Sequence, residues 1–183
     1  MVAEEVIESL LQDTHKMINE AETYFVPLAY DQLMKRPPDN GWSIGECLGH
    51  LNLYGEFYVP AFQNAMNKSD FTKQEVYKPG IIGDYLAKSM LPKAGGTITN
   101  KMKTPANKNP AEMEVPENVV ERFISQQKDM IDILEMAKNT DLNKVKVPLT
   151  FSKYIRLRLG DMLRFITYHN IRHMEQAKRQ IRK

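Results

Sequence analysis

At 183 residues, with 42% hydrophobic and 26% charged side chains, the chain has the apolar material for one compact core and little room for two. A net charge of +2 gives no reason to expect a nucleic-acid partner, and the single cysteine, Cys47, excludes an intrachain disulfide and fits a reducing cytoplasm. The acidic start lacks a basic region and no apolar run is long, so neither a signal peptide nor a membrane span is expected, and residues 1–183 read as one domain.

Residues 3–25 place Ile7, Leu10, Leu11, Met17, Ile18, Ala21 and Phe25 near helical spacing, which predicts an amphipathic helix. Its acidic beginning suits the positive end of the helix dipole. Pro37, Pro38, Asn40 and Gly41 mark a turn. Ser43 and Glu46 then have the spacing of a capping box, so a second helix starts at Ser43 with Ile44, Cys47, Leu48, Leu51, Tyr54, Tyr58 and Phe62 as its apolar stripe. Pro60 within it predicts a kink or a lost hydrogen bond.

Residues 68–115 hold four prolines, scattered glycines and the polar run from Thr104 to Pro110; one short helix around Asp84–Met90 is expected there. A third long helix follows Pro116, with Val120, Phe123, Ile124, Gln127, Ile131 and Leu134 inward. Asn139 to Pro148 is a shorter break. The last helix runs from about Gly160 to Gln180, its inward stripe being Met162, Phe165, Ile166, His169, His173 and Gln176. No clean period-2 alternation requires a sheet. Four long helices with a long second-to-third connection predict an all-α fold, a four-helix bundle with a crossover.

The chemistry gathers on the last helix. Two of the four histidines, His169 and His173, are four apart, which puts both rings on one face where they can grip one divalent ion. The stripe is apolar at Phe165 and Ile166 and turns polar at His169, and buried polar groups need partners. An ion would satisfy them; so would side-chain hydrogen bonds. Asn170 stands where a zinc protease has its general-base Glu, so this is not that motif. His50, at the edge of the second helix's stripe, is either a third ligand or an ordinary boundary histidine, and His15 is expected in solvent.

Two segments carry a resemblance. Pro38-Asp-Asn-Gly-Trp-Ser-Ile-Gly-Glu-Cys-Leu-Gly-His50-Leu resembles the Trp-Ser-Ile/Val-x-Glu turn, with a following His, that opens the second helix of the DinB/YfiT-like superfamily. Gly160 to Gln176, ending His169-Asn-Ile-Arg-His173-Met-Glu-Gln176, looks like that family's last helix. The resemblance implies a four-helix bundle with one divalent metal ion, usually nickel or zinc, held by His50, His169 and His173. It implies a small-molecule substrate and, commonly, a homodimer. Members include transferases and isomerases that use a low-molecular-weight thiol, metal-dependent hydrolases, and proteins without known catalysis. A transferase using a metal-coordinated thiol is therefore the leading expectation, with a hydrolase using metal-activated water and a non-catalytic stress-response or binding protein as alternatives. Imidazole ligands alone select neither the ion nor the reaction.

Other residues have plain expectations beside sharper ones. Trp42 is a hydrophobic staple or a pocket wall, Glu46 a capping side chain or an orienter of an imidazole, Tyr54 core or a donor to a ligand. Gln176 and Arg172 border the histidine pair. Arg172, Lys178, Arg179, Arg182 and Lys183 make the last helix basic, as its dipole favours.

Overall fold

A computed structural model describes residues 1–91, 104, 108–150 and 152–181, with Glu112 and Lys153 described by backbone alone. Much of the expected long connection (92–103 and 105–107), and the basic Arg182 and Lys183, lie outside the described residues. Among the described residues there are six α-helices and one small sheet: α1 Ala3–Tyr24, α2 Tyr30–Met34, α3 Ile44–Asn67, α4 Ile81–Met90, α5 Val119–Ala137, β1 Lys146–Leu149, β2 Ser152–Arg158 and α6 Leu159–Lys178. None of these helices is long and apolar enough to cross a membrane.

The capping box forms as the spacing predicts. Ser43 Oγ accepts from the Glu46 amide at 3.1 Å while the Ser43 amide donates to Glu46 Oε2 at 2.8 Å. Arg36 pairs with the same carboxylate, which fixes Glu46 at the start of α3. Asn40 takes the left-handed conformation, φ 54°, in the turn that feeds this cap. Pro60 does not end α3; it lies on the exposed side, where water can serve the carbonyl its ring leaves without a donor.

The four long helices pack through their apolar stripes, α1 against α5 and α6, and α3 against the same two. Their buried residues form two clusters. One gathers Ile7, Leu10, Tyr58, Phe62, Tyr77 and Met162; the other gathers Met17, Phe25, Leu48, Phe123 and Met174. Helix α4 falls where a short helix is expected, though three residues longer at its start, and lies along α6. Polar groups hold it there. Asp161, 1% exposed, accepts from the Tyr77 hydroxyl and from the Gly80 amide at 3.1 Å. Arg164 donates to Asp84 at 2.8 Å, and Arg172 to the Ser89 carbonyl at 3.3 Å.

The helical expectation holds broadly, with one departure. Residues 146–158 form an antiparallel ribbon in which Val147 faces Leu157 and Pro148 faces Arg156, with an irregularity between Pro148 and Leu149. Only Val147 and Leu149 of β1 are buried, and Tyr154, Ile155 and Arg156 of β2 are exposed. A ribbon with so little buried face leaves no alternation to read, and Pro148 argues against a strand.

Gly160, at the start of α6, lies against the buried ring of Tyr77: a Cβ there would come within 2.5 Å of the ring. Gly160→Ala should therefore lower stability by about 1–3 kcal/mol, the usual cost of overpacking, despite alanine's better helix propensity. Urea denaturation measures it; a midpoint equal to that of the parent would show that Tyr77 yields freely.

Candidate metal centre

His50 comes from the second turn of α3, and His169 and His173 from successive turns of α6, so the packing of α3 on α6 brings together residues 119 positions apart. One ligand nitrogen of each ring lies within 4.8 Å of those of the other two, and among the described residues this is the one such group of His, Cys, Asp or Glu side chains. His50 is 3% and His169 6% exposed; His173 is partly exposed. His15, as expected, is in solvent.

Hydrogen bonds fix two of the tautomers. A carbonyl oxygen only accepts, so His50 Nδ1, 2.8 Å from the Lys108 carbonyl, carries a proton and leaves a lone pair on Nε2. His173 Nδ1 meets Gln176 Oε1 at 3.0 Å, with the same consequence. His50 Nε2 lies 3.1 Å from His169 Nε2, while His169 Nδ1 is buried without a partner. Two nitrogens at ~2.0–2.1 Å from one tetrahedral ion stand roughly 3.3 Å apart, which is the scale of that contact. A single internal hydrogen bond between His50 and His169 leaves the His173 lone pair unused, whereas one ion accepts all three. The donor set thus suits a divalent ion of the zinc or nickel kind.

Aromatic rings close the cluster in. Trp42 lies 4.9 Å from the His50 ring and is stacked at 5.6 Å on His173; Tyr54 is 4.9 Å from His50 and 4.5 Å from His169; Phe165 stacks on His169 at 6.1 Å. Trp42 also packs against the second core cluster, so its staple and wall readings describe one position. Arg172 and Lys178, read from the sequence as part of a basic helix end, are buried. Lys178 is neutralised by Glu20, at 2.8 Å, and by Glu175. Cys47, fully buried one turn before His50, has its thiol pushed well up by burial, so it is packing and not a nucleophile.

Low-dielectric surroundings keep the imidazoles neutral. Burial, and to a lesser degree the Lys108 ammonium, bring His50 down to about 4. Burial, the His50 ring and Arg172 bring His173 down to about 3. His169 is held well below its usual range by burial first and its two neighbours next. All three are therefore ligands in waiting at neutral pH. The same shifts set a pH dependence. Below about pH 6.5 the unfolded chain binds protons at these positions that the folded chain refuses until about pH 4 at His50 and about pH 3 at His173, so metal-free stability falls as pH drops through that window. The expected slope is up to about 1.4 kcal/mol per pH unit for each histidine. Urea titrations between pH 7 and 4.5 should show it in the parent and show it largely gone in the triple variant His50→Ala, His169→Ala, His173→Ala. Equal slopes in the two would mean that the rings protonate freely in the fold.

Comparison with known proteins adds the family. No curated protein and no solved structure matches the chain. The family model described as the DinB superfamily matches residues 13–177, a span that includes Trp42, His50, His169 and His173. The chain belongs to the DinB superfamily.

Proposed function

We propose that this DinB-superfamily protein holds one divalent metal ion, nickel or zinc, through His50, His169 and His173, and that it is a transferase using a low-molecular-weight thiol at that ion. The observation that carries the reading is the three-imidazole cluster within 4.8 Å, kept neutral by burial. Three protein ligands leave the ion open to a small molecule. The ion, when bound, supplies the positive charge that keeps a thiol as its thiolate at neutral pH.

Thiol chemistry is favoured over hydrolysis by what surrounds the cluster. Among the described residues the group includes no Asp or Glu, and the carboxylate nearest in sequence to His50, Glu46, is taken by Ser43 and Arg36. A free thiol, with a pKa of about 8.5, needs far less help to ionise than water at about 15.7. The chain's own part is to orient and to exclude water. Lys108 and Gln176 hold the Nδ1 protons of His50 and His173, and the rings of Trp42, Tyr54 and Phe165 give an apolar approach for the group to be transferred. The same reading takes α1, α3, α5 and α6 as the family's four-helix bundle, with residues 68–115 as the crossover, in one domain that works as a homodimer.

Protein purified without chelator should carry about one metal ion per chain by elemental mass spectrometry, and the triple histidine variant should carry none while its helical circular dichroism persists. Turnover should require a small thiol and fall at least about a hundredfold in His50→Ala. No ion taken up from zinc or nickel solutions would end the metalloenzyme reading. Turnover with water and no thiol would replace transfer by metal-dependent hydrolysis.

A further inference from the structure

Away from the histidines lies a groove of about 720 Å3, the size of a small-molecule site. One side is the C-terminal half of α3 from Phe57 onward, with Lys68 just after it; the other is the turn before β1, with Arg156 of β2. At 1.5 Å per residue, Phe57 to Lys68 stand roughly 10–27 Å along α3 from His50, and none of the three histidines lines the groove.

The charge in this groove is one-sided. Lys68, Lys144, Lys146 and Arg156 line it with Asp70 as the lone carboxylate, in a chain whose 25 cations and 23 anions otherwise nearly cancel. Among the described residues none of the four cations is in an ion pair. Burial first, and then the neighbouring Arg158, hold the Lys146 ammonium below its usual range, with Asp161 acting in the opposite direction.

The groove is also built. Asp141, 1% exposed, accepts from the amides of Asn143 at 2.8 Å and Lys144 at 3.1 Å, which fixes the turn that presents Lys144. The Asp141 amide donates to the Phe71 carbonyl at 3.2 Å, and Thr72 bridges to Thr140, so the segment after α3 is tied to that turn. Phe71, half exposed, has Lys144 5.1 Å over its ring. Beside the cations the groove is lined by the apolar side chains of Phe57, Pro60, Ala61 and Pro148. An inorganic anion would use the charges and waste that surface; a neutral aromatic would do the reverse.

We infer that this groove is a second binding site, for a small molecule that carries a phosphate-like dianion on a flat apolar body. Lys144 and Arg156 take the anion from two sides, and the Phe57–Pro60 face takes the body. The site needs no metal ion.

The test is an amide NMR titration of the full chain with 1-naphthyl phosphate, beside inorganic phosphate and 1-naphthol. Saturable shifts in residues 64–72 and 144–148 are expected, with naphthyl phosphate binding at least about tenfold tighter than either component. The double variant Lys144→Gln, Arg156→Gln changes only exposed side chains, and its own amide spectrum checks its fold. Binding should weaken at least about tenfold in it. No saturation, saturation confined to amides elsewhere, an equal affinity for inorganic phosphate, or undiminished binding by the double variant would each overturn the site. Failure here leaves the metal reading untouched, because that reading rests on ion uptake.

Discussion

Everything at the histidine end of the molecule follows from burying three imidazoles against each other where α3 meets α6. Rings so placed cannot each hold a proton, because charge in an apolar setting and charge beside charge are both costly. They stay neutral, and their nitrogens then need definite partners. Two nitrogens find them in Lys108 and Gln176, and the remaining lone pairs point toward one another. The aromatic walls complete the arrangement by keeping water away, and they come from both halves of the core: Tyr54 and Phe165 from one cluster, Trp42 from the edge of the other.

A second constraint serves the first. Charged groups buried along α6 do not face solvent but hold the polypeptide that returns across it. Asp161 grips Tyr77 and Gly80, Arg164 grips Asp84, and Arg172 reaches Ser89. Such bonds are strong where they are charge-assisted, and leaving either partner unpaired would be expensive. Helix α6 therefore has two functions along its length: its middle carries the histidines, and its flank anchors α4.

The sequence made much of this legible, for reasons that can be named. Apolar spacing located the four long helices, and Ser43 with Glu46 marked the start of α3 because a capping box is a local device that needs no tertiary information. The His169–His173 pair was legible as one face of a helix. His50 was not: at the edge of a stripe its spacing left two readings open, and the family resemblance pointed to one of them. The ribbon at 146–158 escaped because its faces are mostly exposed. The burial of Arg172 and Lys178 was not legible because a charge does not announce its partner, here the Ser89 carbonyl and two glutamates from separate places in the chain. The Lys108 contact left no trace at all, since a main-chain acceptor has no residue type.

That main-chain character has a consequence of its own. A side chain that orients a ligand histidine can be lost by one mutation, but the carbonyl at position 108 survives any replacement of the lysine attached to it. What the His50 proton depends on is where the segment sits, and its seat is made by the Lys108 ammonium, which donates to the Leu53 carbonyl of α3 at 2.6 Å, by the neighbouring turn at Pro110–Glu112 and by Val115, whose carbonyl accepts from the Tyr30 hydroxyl and whose side chain lies over Gly45 and Gly49 of α3. The readiness of the centre for an ion is thereby written into the path of a loop. A substitution there keeps the acceptor even where it costs an anchor, whereas an insertion or deletion that lifts the loop would leave His50 free to turn its lone pair away.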